Sequence, residues 1–130
     1  MAKTKRQIGC VFLGVVCLLA TLVGCGNGTT GNITDDRTLE HFIQAFEAST
    51  FNTADRDTPV YAMIGAVNGF MFHGFVDGFP VSVYEFESVA ALEQAFINFP
   101  IMEQSGWAAN GRFVVETTSE DVRVFFTAID

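Results

Sequence analysis

Two glycine-containing dipeptides, Asn68-Gly69 and Asp77-Gly78, divide the middle of the chain into three strand-like runs. The runs cover residues 60–67, 70–76 and 79–86. Asn-Gly and Asp-Gly favour the positive φ angles of tight hairpin turns, whose twist suits antiparallel strands. Two such turns in succession predict a three-stranded antiparallel meander. Pro80 indicates that the third run starts a strand or lies at a sheet edge.

Amphipathic segments flank the predicted meander. Before it, four apolar residues share the spacing of one buried helical face: Leu39, Phe42, Ile43 and Phe46. After it, Ser88 is a predicted helix cap and Pro100 the predicted helix end. Three apolar residues of this second helix are expected to point inward: Val89, Leu92 and Phe96. A loop over residues 101–106 is then expected to lead to Trp107.

The last part of the chain supplies a fourth strand and a closing segment. Asn110-Gly111 predicts a turn, and residues 112–117 alternate like a strand. Ser119 caps a final segment whose apolar residues have helical spacing, although its β-branched content also permits a strand: Val122, Phe125, Phe126 and Ile129. The prediction is an α+β domain of order α-βββ-α-β-α, with helices on one face of a mainly antiparallel sheet.

Length and charge restrict what such a domain can bind. A chain of 130 residues is long enough for one ordinary domain. Three of its seven basic residues lie in the first six positions, and the chain beyond residue 24 has four arginines against fifteen carboxylates, a formal charge of −11. So acidic a surface repels phosphate backbones, so no nucleic-acid partner is expected.

The first 23 residues have the layout of an export signal. Met1 to Gln7 is short and basic, and Ile8 to Val23 carries no charge. As a helix, the uncharged run reaches roughly 24 Å at about 1.5 Å per residue. A hydrocarbon core is about 30 Å thick, so the run is short for a transmembrane span. An uncleaved anchor and a buried core helix are the alternatives.

The end of this segment adds a more specific signal. Leu22-Val23-Gly24-Cys25 resembles the lipobox of bacterial lipoproteins: an aliphatic residue, a tolerant position, a small residue and then cysteine. The resemblance covers residues 1–25. It implies that the Cys25 sulfur receives a diacylglyceryl group and that cleavage between Gly24 and Cys25 makes Cys25 the mature N-terminus. Two acyl chains give a stable membrane anchor where one gives marginal binding.

This reading divides the chain into three parts. Residues 1–24 are the predicted signal peptide. Residues 25–34 are the lipidated cysteine and a tether rich in glycine, asparagine and threonine, and residues 35–130 are the acidic domain. Cys10 and Cys17 fall in the segment that would be removed, so the mature chain is expected to hold no internal disulfide. An acylated Cys25 leaves no thiol for a metal site or for nucleophilic catalysis, and no metal or other cofactor is predicted.

Aromatic residues are the candidates for a partner-binding site. In the middle predicted strand, Phe70 and Phe72 point one way and Met71 and Phe75 the other. They are either core covered on both faces or an exposed patch for a partner or an apolar ligand. His73 on the same strand is either a packed residue or a functional one. The single tryptophan, Trp107, either packs back on the core or serves as a binding hot spot.

Two carboxylates are the candidates for acid–base chemistry. Glu85 and Glu87 alternate with aromatic residues at the end of the third run and are expected to share a face. Such a pair can catalyse or bind a cation, but is more often simply solvated. The sequence therefore favours a lipid-anchored extracytoplasmic module that binds a protein or a cell-envelope component. The alternatives are an envelope hydrolase using Glu85, Glu87 or His73, and an inhibitor that presents a hairpin or the Trp107 loop.

Overall fold

A five-stranded antiparallel sheet, in the order β1-β2-β3-β5-β4, organises the part of the chain that the computed structural model describes, residues 35–73 and 79–130. The strands are β1 (Arg56–Asp57), β2 (Asn68–Phe72), β3 (Val81–Glu85), β4 (Ala108–Asn110) and β5 (Phe113–Glu116). The helices are α1 (Leu39–Glu47), α2 (Val89–Asn98), α3 (Ile101–Gln104) and α4 (Glu120–Thr127), with a 3-10 helix at Tyr61–Ile64. The predicted α+β class is confirmed, but the order of elements is different. The predicted signal peptide, Gly24, Cys25 and the predicted tether lie outside the described residues.

The first strand of the predicted meander does not form. Residues 60–67 contain the 3-10 helix, which ends at Gly65 with a left-handed φ of 83°. Asn68-Gly69 is the start of β2 and not a hairpin turn. A Cβ on Gly69 would lie 3.0 Å from Pro59 Cγ and 3.1 Å from the Val83 carbonyl oxygen, so this glycine permits close packing within a strand.

The other half of the predicted meander is closer to the structure. β2 and β3 are antiparallel neighbours, as predicted, with Phe72 opposite Val81. The Asp77-Gly78 turn predicted between them lies outside the described residues. The neighbour of β2 on its other side is β1, a two-residue strand that was not predicted. Both β1 residues are exposed, so no apolar alternation marks this strand in the sequence.

The C-terminal turn and helix follow the prediction. Asn110 pairs with Phe113 across a tight turn, and Gly111 in that turn has φ of 62°. The turn joins β4, which was not predicted, to β5. The final segment is helix α4 and not a strand, and the Ser119 side chain accepts a hydrogen bond from the Val122 backbone N–H at 3.4 Å.

Two details around α2 differ from the prediction. Ser88 caps α2, accepting from the Ala91 backbone N–H at 3.1 Å, but Val89 is exposed and not inward. The predicted loop over residues 101–106 contains α3. Pro100 precedes α3 directly, and proline is compatible with the first turn of a helix because no backbone donor is needed there.

Helices cover both faces of the sheet, not one. On one face, α1 and α4 pack on β2, β3 and β5 in a phenylalanine-rich core whose fully buried aromatic side chains are Phe42, Phe46, Phe72, Phe113 and Phe126. On the other face, α2 and α3 pack on Tyr84, Phe86 and Val114. The prediction of helices on one face was wrong because β3 and β5 are buried on both sides, including Ser82 and Tyr84 on the side of α2 and α3.

An arginine network joins the first described residues to the β4–β5 turn. The Arg37 guanidinium pairs with Asp35 at 2.7 Å. Arg112 pairs with Glu85 at 2.5 Å and donates to the Arg37 carbonyl oxygen at 2.8 Å. Its backbone N–H donates to Asp35 Oδ2 at 3.3 Å. The segment before α1 is therefore held against the sheet by charge-assisted hydrogen bonds.

Candidate binding groove

A groove of about 710 Å³ lies on the sheet face that carries α2 and α3. Its floor is a cross-strand row in which Met71 faces Ser82 and Ser82 faces Glu116, on β2, β3 and β5. The surrounding residues come from α3, from Trp107 and from the segments before the 3-10 helix and before β3. Its volume falls in the range of about 300–1,000 Å³ that is usual for ligand pockets.

An aromatic stack forms one part of the groove. The Tyr84 and Trp107 rings are parallel within 3°, with centroids 5.4 Å apart. Trp107 reaches this position because Gly106 adopts φ of 72° after α3, and the Trp107 backbone N–H donates to the Met102 carbonyl oxygen at 3.0 Å. Glycine adopts this left-handed conformation at little cost, so the turn from α3 into β4 is defined by the sequence. The indole is half-buried.

A carboxylate lies beside this stack. The Tyr84 hydroxyl donates to Glu116 Oε2 at 2.6 Å. Burial, and then the hydrogen bond to Glu116, raise the pKa of Tyr84 well above its ordinary value of 10.0, while Ser82 acts in the opposite direction. Tyr84 therefore stays a neutral hydrogen-bond donor to Glu116 at physiological pH.

Large apolar side chains surround the groove. Val60 is 72% exposed, Phe79 59% and Ile101 61%. Among the described residues that line the groove, Glu116 is the only charged one. The groove thus combines an apolar rim, an aromatic stack and one carboxylate, and hydroxyl side chains also line it: Thr58, Ser82, Ser105, Thr117 and Thr118. Apolar surface with a few polar groups is typical of binding sites.

Of the predicted partner-binding residues, Trp107 and Met71 lie in this groove, and Phe75 lies outside the described residues. Phe70 and Phe72 are buried beneath α1, so they are core and not an exposed patch. The reason is the alternation of β2, which points both rings toward the phenylalanine-rich face. His73 follows β2 at the surface, where its Nε2 lies 3.3 Å from Asp57 Oδ2. The backbone N–H of Thr58, and then His73, lower the pKa of Asp57.

The predicted acid–base residues are not brought together. Glu85 pairs with Arg112, and Glu87 is exposed beyond the end of β3. His73 follows the opposite end of β2 from Asn68, the residue that faces Glu85. His73 is five residues along the chain from Asn68, roughly 16 Å at about 3.3 Å per residue. Glu85 and His73 therefore cannot act on one small substrate as a direct acid–base pair.

Glu85 lines a second, more polar cavity of about 640 Å³ between α1 and the β1–β2 edge. Arg56 and Asp57 also line it, and Arg56 pairs with Glu47 at 3.5 Å. Neither Glu87 nor His73 lines this cavity. Its charged residues are thus engaged with other groups of the domain, and it offers less apolar surface than the groove.

Sequence reasoning missed Tyr84 and Glu116 as site residues. They lie 32 positions apart in the chain. They come together only through the pairing of β3 with β5, in which Tyr84 faces Val114 and Ser82 faces Glu116. The available signal was strand parity. Tyr84 and Ser82 share one face of the third predicted strand, and Val114 and Glu116 share one face of the fourth. The register that joins these faces cannot be read from local pattern.

Neither a metal cluster nor a membrane-spanning helix is present among the described residues. In residues 35–73 and 79–130, no group of three or more histidine, cysteine or acidic side chains is arranged to hold a metal ion. Within the same residues, no helix combines the length and apolarity needed to cross a bilayer. Comparison of the chain with protein-family models, curated proteins and solved structures gives no significant match.

Proposed function

We propose that this protein is a lipid-anchored extracytoplasmic binding module that uses the groove beside α3 to hold a protein or a cell-envelope component. The observation that carries the binding role is the set of groups in the groove: the Tyr84–Trp107 stack, the exposed apolar rim and the Glu116 carboxylate. Apolar pockets with a few convergent polar groups are the usual form of a binding site.

The anchor rests on the sequence. Leu22-Val23-Gly24-Cys25 resembles a lipobox and follows a basic start and an uncharged run. A diacylated Cys25 would fix the chain to the outer side of a membrane without a protein span. The tether over residues 26–34 would separate the acidic domain from the lipid headgroups.

The two alternative functions find less support in the geometry. A hydrolase using Glu85, Glu87 or His73 needs two of these groups at one site, and they are dispersed. An inhibitor that inserts Trp107 into a partner needs a protruding indole, whereas Trp107 is half-buried and stacked on Tyr84. A concave receptor site explains both Trp107 and the groove.

The anchor is tested by replacing Cys25 and following an alkyne-labelled fatty acid in cells. Cys25→Ser should abolish labelling and leave the chain uncleaved or released from membranes. Cys17→Ser is the matched control, because it removes a thiol inside the predicted signal and should preserve labelling. Processing and membrane binding of Cys25→Ser like those of the parent would refute the lipoprotein assignment.

The binding role is tested with two exposed isoleucines. Ile101 lies on the groove and is 61% exposed, while Ile97 on α2 is 70% exposed and does not line it. Cross-linking and pull-down from membranes should recover less partner with Ile101→Ser than with the parent, and the same amount with Ile97→Ser. Equal recovery with both variants would remove the groove from the proposal.

A further inference from the structure

The arginines of the domain are all engaged, and none serves Glu116. Arg37, Arg56, Arg112 and Arg123 pair with Asp35, Glu47, Glu85 and Glu120 respectively. They are the only arginines beyond residue 24, where there is no lysine. Among the described residues, the one hydrogen bond to the Glu116 carboxylate comes from the neutral Tyr84 hydroxyl. A cation for Glu116 must therefore come from outside the domain.

Two other partly buried carboxylates of this domain, unlike Glu116, are paired with an arginine. The Asp35 side chain is 9% exposed and that of Glu85 14%, and each has a guanidinium within 2.7 Å. Glu116 is also partly buried, and it accepts from the Tyr84 hydroxyl without such a partner. Shielding a carboxylate from water carries a cost that a paired cation offsets. Glu116 is the carboxylate whose pairing would be completed by a ligand.

The apolar surroundings define the rest of the ligand. A lysine or arginine stem can lie along aromatic and aliphatic surface while its charged end reaches a carboxylate. The cation also gains from the face of an aromatic ring such as Trp107. The rim of Val60, Phe79 and Ile101 can accept an apolar side chain beside it.

We propose that the groove binds an exposed segment of a partner protein in which a lysine or arginine stands next to apolar residues. The cation pairs with Glu116, its stem lies on the Tyr84–Trp107 stack, and the neighbouring apolar side chain covers the rim. This inference rests on the proposed binding function and names the ligand chemistry of that site. Charge complementarity argues against phosphate-bearing ligands, since the groove has one carboxylate and the domain has a formal charge of −11. A neutral glycan would give Glu116 hydroxyl donors but no cation.

The single tryptophan makes the test direct. Trp107 is the only tryptophan of the chain and lines the groove, so its fluorescence reports occupancy there. The full chain, in detergent micelles, is titrated with capped tripeptides whose centre is lysine, arginine, norleucine or glutamate. Each centre is flanked by every pair drawn from leucine, valine, phenylalanine and tyrosine. A tetramer of N-acetylglucosamine is the glycan probe.

We expect saturable changes in Trp107 emission with lysine- or arginine-centred peptides and at least tenfold weaker binding of their glutamate counterparts. Glu116→Gln should weaken the cationic peptides at least tenfold, as expected for a lost charge-assisted contact. It should leave norleucine-centred peptides unchanged. Glu93→Gln is the matched control, because Glu93 is exposed on α2 and does not line the groove. Urea titration of each variant confirms that it is folded.

Three results would overturn the proposal: no cationic peptide of the set binds, cationic and glutamate-centred peptides bind equally, or Glu116→Gln has no effect. Saturable binding of the glycan alone would assign the groove to a sugar. A Trp107 spectrum that changes with protein concentration, without ligand, would assign it to a second copy of the chain. Because the titration does not depend on acylation, repeating it with Cys25→Ser separates failure of this inference from failure of the anchor.

Discussion

Arg112→Met provides the sharpest test of how this small domain is stabilised. The Arg112 guanidinium binds Glu85 Oε1 at 2.5 Å and donates to the carbonyl oxygens of Phe86 at 3.0 Å and Arg37 at 2.8 Å. Its side chain is 19% exposed and that of Glu85 14%. Methionine retains part of the stem beside the Phe113 ring but removes every donor. Glu85 then lacks a cation, and three carbonyl oxygens lose a donor, those of Asp35, Arg37 and Phe86.

The expected cost follows from that shielding. Removing one partner of a buried ion pair costs about 3–5 kcal/mol, and residual exposure places this pair at the lower end, about 3 kcal/mol. For a domain of this size, that loss lowers the melting temperature by roughly 12–24 °C. At a denaturant slope of about 1.5 kcal/mol/M, it lowers the urea midpoint by about 2 M. Trp107 fluorescence follows the unfolding transition.

Arg56→Met is the matched control. The Arg56–Glu47 pair is 3.5 Å long with both side chains about half exposed, so its loss should cost less than about 0.5 kcal/mol. Adding Glu85→Gln to Arg112→Met should recover part of the loss, because the isolated charge is removed. If Arg112→Met were no more destabilising than Arg56→Met, the network around the β4–β5 turn would not stabilise the fold as argued.

Two further predictions concern residues of the same network, one at low pH and one from a glycine substitution. The Arg37 side-chain hydrogen bond, the largest influence, holds the pKa of Asp35 below its ordinary value of 3.8 against the opposing effect of burial. Asp35 therefore stabilises the fold above about pH 4, and this contribution is lost as the pH falls through its folded-state pKa. In the Asp35→Asn variant, the urea midpoint of unfolding should therefore decrease less steeply at acidic pH than in the parent. Gly111→Ala should destabilise the domain more than Gly65→Ala, by at least about 1 kcal/mol in urea titrations. Both glycines have positive φ, but a Cβ at Gly111 would overlap the Asp35 carboxylate, whereas one at Gly65 meets no atom within 4 Å. Equal losses would show that Asp35 moves aside freely.

The sequence correctly predicted those helix starts and turns that depend only on residues next to each other in the chain. Ser88 and Ser119 cap helices because a serine side chain accepts from a backbone N–H three residues on. Asn110-Gly111 forms its turn for a comparable local reason, the left-handed φ at glycine. Asn68-Gly69 has the same pattern and forms a strand. Its glycine leaves room for Pro59 and Val83, which a Cβ would approach to 3.0 and 3.1 Å, and a local pattern does not reveal these contacts.

The arrangement of the groove depends on non-local pairing, which is why the sequence predicted Trp107 as a candidate without its neighbours. The turn at Gly106 after α3 places the Trp107 ring against the Tyr84 ring of β3. Glu116 joins them through the β3–β5 register. The two alternatives left open for Phe70 and Phe72, core and exposed patch, have a related origin. A strand with apolar residues on both sides does not say which side is covered, and here α1 covers the phenylalanine side.

The proposed ligand chemistry connects the groove to the charge of the whole domain. A formal charge of −11 beyond residue 24 attracts a cationic segment over distances of about a Debye length, roughly 8–10 Å at physiological salt. That long-range attraction acts mainly on the association rate and is screened by salt. The proposed contact at Glu116 is partly buried in the groove and is expected to act mainly on the dissociation rate. Salt should therefore slow association in both the parent and Glu116→Gln, while the faster dissociation of Glu116→Gln persists at high salt. This separation distinguishes a specific site at Glu116 from general attraction to an acidic surface.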